Sequence, residues 1–139
     1  MNHNSRSRAW ICMAVVYFCI GVALGVAMGA SGDRSLAPLH AHINLLGWVS
    51  MVLFGLIGAV YPATTQGPVA TAQFWIHSLG LPVLLVSLAA RLKGHDAVDP
   101  VLGLASIVVG AGVLLFAYRV IVALRAPSVS ATAMASSGT

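Results

Sequence analysis

The chain has 139 residues, of which 59% are hydrophobic and only 7% are charged, and its formal net charge is +4. A folded surface in water normally needs about 25% charged residues, so this composition excludes an ordinary soluble domain and predicts an integral membrane protein. The basic residues are scattered along the chain instead of forming a patch, so nucleic acid is not a predicted partner.

Four apolar runs are each long enough to cross a membrane, which takes about 20 residues. They cover residues 10–30, 38–61, 69–92 and 100–124. The predicted fold is therefore all-α, an integral membrane four-helix bundle that forms one domain over residues 9–125. Residues 1–8 are predicted to be a cytoplasmic N-terminal segment. Residues 126–139 are predicted to be a disordered tail, because they are small and polar and show no periodicity.

The basic residues predict an orientation. Four of them lie on the N-terminal side of the predicted bundle and three on the other side: Arg6, Arg8, Arg119 and Arg125 against Arg34, Arg91 and Lys93. By the positive-inside rule, this excess places both termini in the cytoplasm (N-in/C-in). Arg119, near the end of the fourth span, is expected to extend its charge to the lipid headgroups.

The first span carries a small residue at every fourth position, at Gly21, Gly25 and Gly29. Such spacing makes a smooth groove along one helix face, which another backbone or a flat ligand can approach closely. Plain helix packing and a cradle for a ligand both remain open. Met28 lies beside this groove, at the end of the span.

The second span begins with the segment "HAHINLLGW", residues 40–48. Ionisable residues inside a membrane are costly and are functional candidates by default. Successive residues of an α-helix are rotated by about 100°, so His40 and His42 point to opposite sides and cannot share one ion. The His40 side continues through Asn44, Gly47 and Trp48. The His42 side continues through apolar residues.

An imidazole in a dry apolar slot beside a glycine face suits axial ligation of heme iron, and we expect His42 to lie in such a slot. Zinc or copper would need three or four converging ligands, and the sequence shows no such cluster. The alternative is that each histidine forms a hydrogen bond with an oxygen of a neighbouring helix and that no heme is bound.

His77, in the third span, is a further candidate ligand. Helix rise places it about 12 Å from His42 in depth, which is a poor fit to one iron. Met28 has the right depth to pair with His42, since histidine and methionine together are a known axial pair. A histidine from a second copy of the chain is the alternative, so a homo-oligomer is expected.

The segments "HAHINLLGWVSMVLFGLIGAVYP" and "FWIHSLGLP" resemble the catalytic subunit of the heme-copper oxidase superfamily, on the branch of the nitric oxide reductases and C-type cytochrome c oxidases. The resemblance covers residues 9–125, which are similar to helices nine to twelve of that twelve-helix subunit. It implies that His40 binds a high-spin heme and His42 a low-spin heme, near the outer side of a bacterial-type inner membrane.

The family's second low-spin histidine and its copper or non-heme iron ligands lie on helices that have no counterpart here. Reduction of dioxygen or nitric oxide is therefore not predicted for the chain alone, and whether it belongs to an enzyme stays open. We predict a protein with one or two b-type hemes, for electron transfer or for binding and sensing of nitric oxide or dioxygen. The predicted iron ligands are His42, His40, His77 and Met28, and the residues predicted to line the cofactor are Asn44, Gly47, Trp48 and Gly25.

The predicted partners are membrane lipid, a second copy of the chain, a small gas and a redox partner. Two alternatives remain open. The chain could be an accessory subunit of an oxidase or reductase complex, or a heme-free membrane scaffold or small transporter.

Overall fold

The computed structural model describes residues 3–125, so the predicted tail, residues 126–139, lies outside the described residues. The described chain is all-α, as predicted, and two short 3₁₀ turns, Pro62–Thr65 and Asp96–Val98, connect its helices. In chain order the helical elements are α1 (His3–Ser31), α2 (Ala37–His42), a π-helical segment (Ile43–Val49), α3 (Ser50–Val60), α4 (Gly67–Leu92) and α5 (Asp99–Arg125).

Within residues 3–125, four helical stretches have the length and composition to cross a membrane. They are Ser5–Ser31, Ala37–Val60, Gly67–Leu92 and Asp96–Arg125. The second stretch contains α2, the π-helical segment and α3 without a break, and we call it the second span. The four predicted spans are confirmed by length and composition, which are those of a multi-pass membrane protein. The N-in/C-in orientation stays a prediction.

Glycine and proline set the ends of the helices. Gly32, Gly67 and Gly94 have positive φ angles of 71°, 82° and 88°, a backbone conformation that strains other residues. Gly32 and Gly94 follow the ends of α1 and α4, and Gly67 begins α4. Pro38 and Pro68 lie in the first turns of α2 and α4, where the missing N–H costs nothing. α1 begins at His3, earlier than the predicted start of its apolar run at residue 10.

The core forms where two helix pairs meet, because α1 packs along the second span and α4 packs along α5. Trp10 of α1 is fully buried. Its ring lies 5.1 Å from Phe54 and 4.9 Å from Phe74, between ring centroids and in edge-to-face geometry. Phe116 of α5 closes the cluster at 4.3 Å from Phe54. These contacts connect the two pairs into one bundle.

Two arginines that were predicted to be membrane flanks form hydrogen bonds with the turn between α3 and α4. Arg119 donates hydrogen bonds to the carbonyl oxygens of Ala63 and Gln66, at the end of the bundle where the spans finish, and its extension to the headgroups stays a prediction. Arg6 is 5% exposed and donates to the carbonyl oxygen of Thr65. The physical reason is that the turn between α3 and α4 leaves backbone carbonyl oxygens without helical partners.

Candidate functional site

His40 and Asn44 face the glycines of α1. A Cβ atom added at Gly25 would lie 2.9 Å from Cε1 of His40, and one added at Gly21 would lie 2.7 Å from Oδ1 of Asn44. Real Cβ contacts are essentially never that short, so only glycine fits at either position without movement. The side chains of the second span thus fill this part of the glycine groove, as plain helix packing requires.

Asn44 also holds the His40 ring. Its amide nitrogen Nδ2 donates to the carbonyl oxygen of His40 at 2.8 Å and lies 3.3 Å from Nε2 and 3.4 Å from Nδ1 of the same residue. The Asn44 amide therefore binds the backbone carbonyl of His40 and lies in contact with its ring. Asn44, which was predicted to line the cofactor, thus positions His40.

The rest of the predicted His40 stripe also packs against α1. A Cβ atom at Gly47 would lie 2.5 Å from Cγ of Tyr17. The ring of Trp48 lies 4.8 Å from that of Phe18, between centroids. Gly47 and Trp48, which were predicted to line the cofactor, are thus both in contact with α1.

His42 lies on the opposite side, as the helix rotation predicted, but it does not lie in an apolar slot beside the glycines. Its ring is exposed, and Leu45 and Val49, which follow it, are 60% and 39% exposed. The prediction of a slot is wrong because His40 and Asn44 occupy the glycine face. The opposite side of the second span therefore points away from α1.

The ring of His42 has a defined tautomer. Its Nδ1 lies 2.8 Å from the carbonyl oxygen of Pro38, one helical turn earlier. A carbonyl oxygen can only accept a hydrogen bond, so Nδ1 is the donor, and in the neutral imidazole Nε2 carries the free electron pair. An exposed imidazole with a bare Nε2 is able to bind a metal ion or a proton donor.

His77 lies apart from the other two histidines, in the centre of the core. It is 0% exposed, and its ring makes edge-to-face contacts with Trp10 at 5.7 Å and Phe54 at 5.1 Å. Its Nε2 donates to the carbonyl oxygen of Leu46 at 3.1 Å, which leaves Nδ1 without a partner. The buried His77 and the exposed His42 do not share a site.

A cavity of about 340 Å³ opens at the end of the bundle where α1 gives way to α2. Its lining residues are Gly25, Met28, Gly29, Gly32, Arg34, Ala37 and His40. The structure thus brings Met28 together with His40, on the opposite side of the second span from His42, so the predicted pairing of Met28 with His42 is wrong.

Arg34 is the charged side chain in the lining of this cavity. The neighbouring Asp33 is turned toward Ser35, whose backbone N–H and hydroxyl donate to the carboxylate at 2.8 and 3.1 Å. These two hydrogen bonds hold the pKa of the Asp33 carboxyl below its usual value. The cavity therefore combines one cation with an imidazole and a thioether.

A multi-ligand metal centre does not form in the described part of the chain. No group of three or more His, Cys, Asp or Glu side chains in residues 3–125 could hold a metal ion. In the connection after α4, Arg91 binds the carboxylates of Asp96 and Asp99, at 2.6 and 2.8 Å between nitrogen and oxygen. Both carboxylates therefore form ion pairs with Arg91.

The π-helical segment was not predicted from the sequence. It begins at Ile43, directly after His42, and its backbone hydrogen bonds span five residues instead of four. Ser50 marks its end, because both its N–H and its hydroxyl donate to the carbonyl oxygen of Leu45. Such segments occur frequently at functional sites. The sequence "INLLGWV" contains no proline, and its one glycine is also explained by the contact with Tyr17.

The three histidines that were predicted as iron ligands thus have three different environments. His40 lines the cavity and is held by Asn44, His42 presents a bare Nε2 on the surface, and His77 is enclosed by aromatic rings. A comparison of the chain with protein-family models, with curated proteins and with solved structures finds no match.

Proposed function

We propose that this chain is an integral membrane protein that binds b-type heme through His42 and takes part in electron transfer. The observation that supports this proposal is the tautomer of the His42 ring. Histidines that bind a metal almost always donate their other ring N–H to a carbonyl or carboxylate oxygen, which fixes the tautomer and orients the ring. The Pro38 carbonyl does this for His42. Heme, when bound, supplies a one-electron iron couple.

The position of His42 further supports a site between chains. The residues Leu45, Val49 and Leu53 continue from it as an exposed apolar row at helical spacing. The row offers an apolar wall but no second ligand. In a two-fold symmetric dimer, the same row of each chain would face its copy, and a His42 from each could approach one iron. A subunit of a redox complex is the alternative source of the second ligand.

The cavity beside His40 favours a second candidate function, the binding and sensing of a small gas such as nitric oxide or dioxygen. His40 and Met28 line this space together, and Asn44 holds the imidazole in place. Gly25 covers one edge of the His40 ring. A ligand would therefore reach the ring from the cavity. A second heme at His40 is part of this proposal.

The resemblance of the "HAHINLLGW" segment to the oxidase and reductase subunits adds to the proposal. It suggests the N-in/C-in orientation and a bacterial-type inner membrane. Reduction of dioxygen or nitric oxide by the chain alone is not proposed. An accessory role in an oxidase or reductase complex is compatible with the exposed His42, and a heme-free scaffold remains the opposing hypothesis.

The absorption spectrum of the purified protein tests the proposal. The full chain is expressed with ample heme, purified in a mild detergent and reduced. We expect a Soret band and split visible bands for iron with two axial ligands, and we expect His42→Ala to lower the content of this two-ligand heme by about tenfold or more. A second heme at His40 would be retained. His95→Ala is the matched control, because His95 is also an exposed histidine, and it should keep the wild-type heme content.

Carbon monoxide and nitric oxide separate the two candidate functions. A spectrum that does not change with either gas indicates electron transfer, and a shifted Soret band indicates an open coordination site. If the wild-type protein lacks a Soret band, or if His42→Ala binds as much heme as the wild type, the proposal is wrong.

A further inference from the structure

The end of the bundle at the turn Pro62–Thr65 concentrates positive charge. Arg6 donates to the carbonyl oxygen of Thr65 at 2.5 Å and to the hydroxyl of Thr71 at 2.7 Å. Arg119 donates to the carbonyl oxygens of Ala63 and Gln66. Since Thr65 and Gln66 are consecutive residues, with Cα atoms about 3.8 Å apart, the two guanidinium groups approach the same short stretch of backbone.

No side-chain carboxylate in the described residues neutralises the two guanidinium groups. The sequence contains three acidic residues. Asp33 follows the far end of α1, most of the length of that helix away from Arg6. Asp96, in the connection after α4, and Asp99, the first residue of α5, both bind Arg91. All hydrogen bonds from Arg6 and Arg119 in the described chain go to neutral oxygens.

The start of α4 adds further donors at the same place. Gln66 is the N-cap residue of this 26-residue helix, and its side chain makes no capping hydrogen bond. The first backbone N–H groups of a helix have no internal acceptor, and together they carry a partial positive charge. Two buried side-chain donors also lack a partner: Nε of Arg6, whose guanidinium binds the turn before α4, and Nε2 of Gln73, which lies seven residues after Gln66 in α4. Gln73 is 3% exposed.

We propose that this end of the bundle binds a phosphate group, at Arg119 and the uncapped start of α4, with Arg6 buried behind them. An anion is the missing element, because two full charges and a helix N-terminus meet there without an acceptor side chain. The expected source is the headgroup of an anionic phospholipid, since the site lies where the spans end and Arg119 is only half-buried. The proposal is independent of heme.

Thermal unfolding of the full chain in a neutral detergent tests this site. Circular dichroism follows the protein with added phosphatidylglycerol, phosphatidylcholine or inorganic phosphate. We expect phosphatidylglycerol to raise the Tm and phosphatidylcholine not to do so. Arg119→Gln should need about tenfold more phosphatidylglycerol for the same increase, because it loses charge-assisted hydrogen bonds. Arg125→Gln is the matched control, an exposed arginine of the same helix that should respond like the wild type.

The outcomes distinguish the sources of the phosphate. If inorganic phosphate raises the Tm as effectively as phosphatidylglycerol, the site takes free phosphate; if only phosphatidylglycerol does so, it takes a headgroup. Equal effects of the two phospholipids, or equal losses in the two variants, overturn the proposal.

A second measurement covers the case in which Arg119→Gln does not fold. Native mass spectrometry of the wild type should then show more retained phosphatidylglycerol than phosphatidylcholine, with the excess reduced in Arg119→Lys. Equal retention of the two phospholipids overturns the proposal.

Discussion

Gly25 and His40 are in contact across two helices, and this contact orients the imidazole. Cε1, the atom between the two ring nitrogens of His40, lies against the position that a Cβ of residue 25 would occupy. A larger residue would therefore displace the ring. Gly29, one turn further along α1, has no atom of another residue in reach of an added Cβ.

These two glycines allow a matched test of the contact. We expect Gly25→Ala to lower the free energy of unfolding by about 1–3 kcal/mol, because the new methyl group overpacks the interface with His40. Gly29→Ala should be neutral or slightly stabilising, since alanine is the better helix former by about 1 kcal/mol. Denaturant titration in detergent, followed by circular dichroism, measures both. Equal effects of the two variants would contradict the contact.

The residue scale also separates what the sequence predicts about the histidines from what it does not. The rotation of about 100° per residue predicted opposite directions for His40 and His42, since both lie in α2, ahead of the π-helical segment. It could not predict which of the two would face the glycines, because the position of a helix about its own axis depends on packing along its whole length. The sequence likewise could not predict that Nδ1 of His42 is the donor, because this depends on the position of the Pro38 carbonyl oxygen.

At the scale of elements, the π-helical segment is a part of the second span that forms a hydrogen bond with α4. The carbonyl oxygen of Leu46 lies inside this segment and accepts the hydrogen bond from His77. His77 is also the polar residue of the aromatic cluster that joins the two helix pairs. The structure therefore supports a role for His77 in stability, in contrast to the proposed role of His42 in ligation.

A role of His77 in stability and a role of His42 in ligation predict different effects of substitution on unfolding and on heme content. We expect His77→Leu to lower the free energy of unfolding by about 1–3 kcal/mol, since a buried hydrogen bond is lost, and to leave the heme content of the folded protein unchanged. Ser106→Ala is a control, because this exposed hydroxyl donates to a carbonyl of its own helix and its loss should change stability by less than about 0.5 kcal/mol. Denaturation and the Soret absorbance are the measurements. A stable His77→Leu protein without heme would assign His77 to the heme site.

The sequence predicted the helical elements better than the connections between them. Runs of apolar residues have to match the thickness of a bilayer, so the four spans follow from composition alone. Arg6 and Arg119 were predicted to lie at the membrane surface because the positive-inside rule considers charges and not partners. Their hydrogen bonds to the turn Pro62–Thr65 depend on carbonyl oxygens that become available only when the helices around that turn are packed.

At the scale of the whole molecule, the outer surface of the bundle carries many large apolar side chains. Val86, Ile107 and Leu114 are each 71–72% exposed, which is compatible with a surface that lipid covers. Around His42, the exposed row of the second span is also apolar. The proposed dimer would bury this row and bring two imidazoles together without any new polar group.

Heme stoichiometry tests that arrangement. We expect one heme per two chains, because a two-fold axis through the iron supplies the same ligand from both copies. Heme is measured as the pyridine complex, and the mass of the protein by light scattering with a correction for detergent. His42→Ala should lack this shared heme and be more easily dissociated into single chains. A monomer that carries one heme would rule out a shared iron and would direct the search for the second ligand to another subunit.

The distribution of charge at the two ends of the bundle has an electrical consequence. At the end with Asp33, Asp96 and Asp99, three acidic and three basic side chains cancel, so the whole formal charge of +4 belongs to the end with Arg6 and Arg119. The bundle is therefore strongly asymmetric in charge along its axis. In a membrane potential, each elementary charge carried across the bilayer is worth about 2.3 kcal/mol per 100 mV. The potential therefore acts on the direction in which this protein lies in the membrane, and it favours the arginine end on the negative side.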